Sequence, residues 1–166
     1  MTSRLSGDAV RVGRVLDLLL KLNDPLRADR HVRGVYEAEE ALECVWTGKS
    51  LKRGFDVDHA IPFALWQNSS LWNLFPAAKT VNNAKRDMLP TRTIVRKRGD
   101  AIVYCWDLLY RRFPSRFRKE AALLMGRGRW ENLAVNGQSW ETQLMNSFEE
   151  AIEYTATVRG AYRWEP

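Results

Sequence analysis

The chain has 166 residues, of which 45% are hydrophobic, and its formal net charge is +6. This length can bury one good core or one core with a satellite, and no apolar run approaches the roughly eighteen residues that cross a bilayer. The first seven residues lack the basic-then-apolar pattern of a secretion signal, so we expect a cytoplasmic protein with no membrane partner.

The hydrophobic pattern predicts helices before a mixed central segment. Residues 8–22 are rich in Val and Leu and end at Asn23-Asp24-Pro25, which predicts the first helix. Residues 32–43 place Val35, Ala38 and Leu42 on one stripe and predict the second. The central segment then predicts, in order, a strand, a turn at Thr47-Gly48, a second strand, a loop, a short strand near residues 71–75 and a helix over residues 79–87.

After the central segment the pattern is helical, with one ambiguity. Residues 94–95 and 102–103 are apolar pairs separated by Arg98-Gly99-Asp100, which is compatible with a hairpin or with the start of a helix. Further helices are predicted over residues 108–113, 115–125 and 139–157. The expected fold is α+β and mostly helical. It is a single domain over residues 1–166, with a mixed core at 43–90 and helical flanks at 1–42 and 91–166.

Polar groups suited to hydrolytic chemistry are concentrated in the central segment. Asp58 and His59 are adjacent at the end of a short apolar run, and the chain has only two histidines. Asn73 and Asn82 follow, with Lys85 three residues after Asn82. These groups could hold one hard cation and activate one water beside a phosphodiester.

The order of these elements resembles the HNH nuclease family, whose motif lies in a ββα-metal fold. The matching segments are Asp58-His59 with Ile61-Pro62, then Trp72-Asn73-Leu74, then Asn82-Asn83-Ala84-Lys85 with Asp87 and Pro90, preceded by a strand and turn at 44–49. The pattern is similar to the HNH domains of CRISPR RNA-guided DNA nucleases. It implies a small ββα-metal core between the helical flanks.

The resemblance implies a role for each residue of the motif. His59 would be the general base, and Asp58 with Asn82 would hold one divalent cation, Mg²⁺ before Mn²⁺ because both ligands are hard oxygens. Asn73 would brace the loop that orients the base. Lys85 is a candidate phosphate contact. A structural zinc site is not expected, since Cys44 and Cys105 form no C-x-x-C pair.

A shared site for Asp58 and His59 requires a particular backbone geometry. Neighbouring side chains on a regular strand point to opposite faces, so Asp58 and His59 can serve one site only if the strand ends or twists there. The alternative readings are a surface dipeptide at Asp58-His59 and a loop or helix-cap pair at Asn82-Asn83. The other histidine, His31, is expected to be a surface residue.

Basic residues follow the motif directly. Residues 85–129 contain thirteen Lys or Arg against four Asp or Glu, whereas residues 131–166 contain two against six. A basic surface beside a phosphodiester-cleaving site suits a polyanion, although a solvated helix face would look the same. The predicted nucleic-acid contacts nearest the motif are Lys85, Arg86, Arg92, Arg96, Lys97 and Arg98.

The function predicted from the sequence is therefore a metal-dependent HNH endonuclease acting on DNA. Two alternatives use the same residues: a nucleic-acid-binding module with an inactive or conditional core, and a ribonuclease. A single such site cuts one strand, so double-strand cleavage would need a homodimer or a larger nuclease assembly.

Overall fold

The computed structural model describes residues 25–52, 54–126, 129–133 and 137–166. Seven helices and four strands are assigned within these ranges. The helices are α1 Pro25–Glu37, α2 Lys79–Lys85, α3 Arg92–Lys97, α4 Gly99–Arg112, α5 Pro114–Met125, α6 Arg129–Asn132 and α7 Trp140–Arg159. The strands are β1 Phe55–His59, β2 Leu74–Ala78, β3 Leu89–Pro90 and β4 Arg163–Trp164.

The centre of the molecule is a two-stranded antiparallel sheet followed at once by a helix. β1 pairs with β2 so that Asp58 lies opposite Phe75 and His59 opposite Leu74. α2 begins at the residue after β2, and it contacts both strands. This ββα unit within a mostly helical chain confirms the predicted α+β fold with a small HNH-type core and flanking helices.

A tight turn covers the outer edge of β2. The Cys44 carbonyl accepts from the Gly48 amide, and Glu43 and Ser50 form an antiparallel bridge. The Val45 amide donates to the Pro76 carbonyl, which attaches the turn to β2. This attachment places the Trp46 indole within hydrogen-bonding distance of Asp58 on β1.

The helix and strand boundaries differ from the sequence predictions in understandable ways. The segment predicted as a strand near residues 71–75 begins as a 3-10 turn, Leu71–Asn73, and becomes extended only from Leu74. The ambiguous residues 94–103 are not a hairpin: they belong to α3 and α4, which are separated by Arg98, and Thr91 caps α3 by accepting from the Ile94 amide. The second predicted helix, 32–43, is instead α1 and ends at Glu37. The predicted helix over residues 8–22 lies outside the described residues.

Aromatic side chains fill the space between the ββα unit and the C-terminal helices. Phe148 of α7 lies 5.9 Å from Phe75 of β2 and 5.5 Å from Trp106 of α4, measured between ring centroids. Trp46 lies 5.9 Å from Phe75 and 6.2 Å from Trp164 of β4. Aromatic pairs at these separations add to the free energy gained by burial alone. The ββα unit therefore shares its core with the flanking helices.

The last residues of the chain also support the motif. β3 and β4 pair in parallel, with Leu89 opposite Arg163 and Pro90 opposite Trp164.

Both cysteines are buried and unbonded to each other. Within the described ranges, no helix has the length and apolar character needed to span a bilayer.

Candidate active site

β1 presents two carboxylates to α2. Side chains alternate along a strand, so Asp56 and Asp58 share one face of β1. Helix neighbours three residues apart also share a face, so Asn82 and Lys85 of α2 lie on one side of that helix. The contacts match this arrangement: Asn82 bonds to Asp56 and Lys85 bonds to Asp58.

Asp58 is the buried carboxylate of the two. It is 4% exposed, and Trp46 Nε1 donates to its Oδ2 at 2.7 Å while Lys85 Nζ donates to its Oδ1 at 3.0 Å. Burial raises the pKa of the Asp58 carboxyl, while the Lys85 charge and the two hydrogen bonds act in the opposite direction. A carboxylate has about four lone-pair positions, so this one keeps acceptor capacity beyond its two bonds.

Lys85 is an internal cation. Its side chain is 0% exposed, and besides Asp58 it donates to the backbone carbonyl of His59 at 2.7 Å. Both contacts hold the end of β1 against α2. The phosphate contact predicted for Lys85 would require the ammonium group to leave Asp58.

Asp56 and Asn82 form a second, partly exposed pair. Asn82 Nδ2 donates to Asp56 Oδ2 at 3.1 Å, and both residues are half-buried. The Asn82 carbonyl also accepts from the Arg86 amide at the C-terminal end of α2. The structure therefore places Asn82 beside Asp56, while the predicted partner of Asn82, Asp58, is bonded to Lys85 and Trp46.

His59 is the last residue of β1 and is still paired with Leu74 of β2. Its ring Nε2 lies 3.3 Å from Ser69 Oγ, and its ring packs edge-on against Phe63 at 5.9 Å between centroids. Burial first, and the nearby Lys85 charge second, lower the pKa of His59 to about 4. The imidazole is therefore neutral near pH 7, which is the form that accepts a proton.

Asn73 is completely buried and holds the loop that follows His59. Its Oδ1 accepts from the Ile61 amide at 2.8 Å, and its Nδ2 donates to the Ile61 carbonyl at 2.9 Å and to the Asn68 carbonyl at 3.2 Å. In addition, the Ala60 amide donates to the Asn73 carbonyl. These bonds fix both ends of the loop between β1 and the 3-10 turn.

The predicted basic contacts fall into two groups. Arg92 and Arg96 are each paired with Glu149 of α7, and Arg98 donates to the Val45 carbonyl at 2.8 Å with Glu43 nearby. Arg86 and Lys97 are exposed, as Arg92 and Arg96 are, but among the described residues they form no ion pair. Arg86 has φ 52°, a left-handed backbone value that L-residues rarely adopt, directly after α2.

Three residues of the site were not singled out from the sequence: Asp56, Trp46 and Ser69. Asp56 was detectable, since the D-x-D spacing puts it on the same strand face as Asp58. Trp46 and Ser69 reach Asp58 and His59 from a separate turn and loop, and no local spacing signals that approach.

Comparison with known proteins found a match for the central segment of the chain. Residues 44–91 match a family model described as HNH endonuclease. No match was found among curated proteins or among solved structures. The match begins at Cys44 and ends at Thr91, so it covers the turn, both strands of the central sheet, α2 and β3. Residues 44–91 are therefore similar to HNH endonucleases.

Proposed function

Because residues 44–91 match the HNH endonuclease family, we propose that this protein is a metal-dependent endonuclease that hydrolyses phosphodiester bonds of DNA. The observation that supports this most directly is the end of β1. There a neutral imidazole follows two carboxylates that face an amide and an ammonium group of α2.

The donor set of this site fits a hard divalent cation. Carboxylate and amide oxygens are the ligands that Mg²⁺ prefers, and Mg²⁺ normally keeps several waters beside one or two protein ligands. We propose that Asn82 and Asp58 are ligands, with Asp58 using the lone pairs that Trp46 and Lys85 leave available. A bound cation would neutralise charge on the phosphoryl oxygens and on the departing 3′ oxygen.

His59 would take the proton from the attacking water. Its pKa of about 4 keeps the ring neutral at working pH, and its position at the end of β1 is held by the bond from Lys85 to the His59 carbonyl. Asn73 would act as a positioning residue, because its three hydrogen bonds fix the loop beyond His59. Arg86 and Lys97 would contact the nucleic-acid backbone, since both are exposed and neither forms an ion pair among the described residues.

The test is cleavage of supercoiled plasmid, with Mg²⁺, with Mn²⁺ or with EDTA. We expect cation-dependent nicking that falls by at least about 100-fold in His59→Gln, the scale of a lost general base. The matched control is His31→Gln, which changes the chain's other histidine, an exposed residue of α1, and should cut like wild type. Undiminished cutting by His59→Gln would overturn the base assignment.

The same assay decides between the alternatives. A mobility shift of plasmid without cleavage under any cation would identify a binding module. Cleavage of RNA but not of DNA would identify a ribonuclease using the same residues.

A further inference from the structure

The two carboxylates of β1 are not equivalent toward a cation. Resting on the nuclease function proposed above, we infer that Asp56 is a further ligand of the catalytic cation, shared with Asn82. It is a carboxylate outside the Asp58–Asn82 pair that the motif predicts. Three properties of the structure lead to this assignment: availability, spacing and charge.

Availability separates the two carboxylates first. Both oxygens of Asp58 already accept bonds, and its side chain is 4% exposed. Asp56 is half-buried, and among the described residues only the Asn82 amide is hydrogen-bonded to it. A cation arriving from solvent therefore meets an open oxygen on Asp56 before it reaches Asp58.

The spacing of the Asp56–Asn82 pair suits chelation. Asn82 Nδ2 lies 3.1 Å from Asp56 Oδ2. A half-turn of the amide about its terminal torsion exchanges the nitrogen and the oxygen, which are nearly equal in shape. Two oxygens would then be about 3 Å apart. Adjacent ligands in an octahedron with Mg–O bonds of about 2.0–2.1 Å have nearly this separation, so chelation needs no backbone movement.

Charge favours the same residue. Lys85 compensates Asp58 at 3.0 Å, and this inner pair therefore offers a cation little net attraction. Among the described residues, no basic side chain forms an ion pair with Asp56. Within the part of the chain that the structure describes, Asp56 thus supplies an uncompensated negative charge next to the Asn82 amide.

The experiment is a titration of the full chain with Mn²⁺ in the absence of nucleic acid. Binding is measured by calorimetry and by the loss of the EPR signal of free Mn²⁺. We expect Asp56→Asn to weaken Mn²⁺ binding at least 10-fold, and Asp56→Glu, which keeps a carboxylate, to weaken it less. Asp87→Asn, an exposed carboxylate just after α2, is the matched control and should bind within about twofold of wild type. Thermal unfolding of each variant verifies that it is folded.

The outcomes separate this inference from the function on which it rests. Wild-type Mn²⁺ affinity in folded Asp56→Asn, or no Mn²⁺ binding by wild type at millimolar concentration, would overturn the role of Asp56. Mn²⁺ binding that depends on Asp56, in a protein that cleaves neither DNA nor RNA, would leave the ligand assignment standing and remove the nuclease function.

Discussion

Two pairs of side chains join β1 to α2, and they differ in burial and in chemistry. The inner pair, Asp58 with Lys85, is an ion pair that solvent barely reaches. The outer pair, Asp56 with Asn82, is one helical turn away, half-buried, and bonded through a neutral amide. One strand and one short helix thus carry a closed contact and an open one side by side.

The difference shows how a site can be both rigid and accessible. A buried ion pair is costly to form, and it is most damaging when only one partner is removed. The inner pair therefore fixes α2 relative to β1, and through the His59 carbonyl it fixes the strand end as well. The outer pair can exchange partners at little cost, as a ligand site must.

Breaking the inner pair should have the largest effect on stability. Lys85→Met removes the ammonium group and leaves the Asp58 carboxylate buried without its cation. We expect the free energy of unfolding, measured in urea at pH 7, to fall by about 3–5 kcal/mol. Arg111→Met, which breaks an exposed pair with Asp107, should change it by less than about 1 kcal/mol. A Lys85→Met loss as small as that control would show that the inner pair is not structural.

Acid should weaken the fold through His59. The pKa of His59 is about 4 in the folded protein and near 6.5 when unfolded, so between these values the unfolded chain binds more protons. Stability is retained above pH 6.5 and lost as the pH falls towards 4. We expect wild type to lose about 2–3 kcal/mol more than His59→Gln between pH 7 and 4, measured in urea.

The His59→Gln reference is needed because Asp58 titrates in the acid range too. The raised pKa of Asp58 contributes stability that is lost as the pH rises, which is the opposite sign. Subtracting the two curves removes the part of this contribution that both proteins share. Parallel curves for wild type and His59→Gln would contradict the lowered pKa of His59.

Removing the second donor of the inner carboxylate should have an intermediate effect. Trp46→Phe keeps an aromatic ring but deletes the Nε1 hydrogen bond to Asp58 Oδ2. Trp164→Phe, the matched control, shortens the ring that packs against Trp46. We expect Trp46→Phe to lower the free energy of unfolding by about 1.5–2 kcal/mol more than this control. Equal losses would assign the whole effect to ring packing.

Changing the outer pair should alter stability least. Asp56→Asn replaces a partly exposed carboxylate with an amide of the same shape, and only one hydrogen bond is at risk. We expect the free energy of unfolding, measured in urea, to change by less than about 1 kcal/mol. A loss comparable with that of Lys85→Met would show that the inner and outer pairs contribute equally to stability.

Much of the fold and the order of the motif could be predicted from local sequence. The resemblance to the HNH family, carried by the D-H dipeptide, the amides at 73 and 82 and the lysine at 85, implied a ββα unit, and this unit is present. Hydrophobic periodicity likewise gave α5 and α7 to within about two residues of their ends.

The partners within the site were not predictable, because they depend on contacts between distant residues. Lys85 was predicted to contact phosphate, since nothing in the sequence around it shows that its side chain is fully buried against β1. Arg92 and Arg96 looked free for nucleic acid until α7 placed Glu149 between them. The end of α1 at Glu37 was missed because Ala38 and Leu42 continue the apolar stripe of the helix.

The parallel pairing of β3 with β4 bears on where a folding unit can be cut. The segment that matches the nuclease family ends at Thr91. The backbone amide of Thr91, however, donates to the carbonyl of Trp164, near the end of the chain. The ring of Trp164 also packs against the indole of Trp46, which donates a hydrogen bond to Asp58. A fragment limited to residues 44–91 would lose the pairing of β3 with β4 and the Trp164 ring that packs on Trp46, so we expect a stably folded piece of this chain to include Trp164.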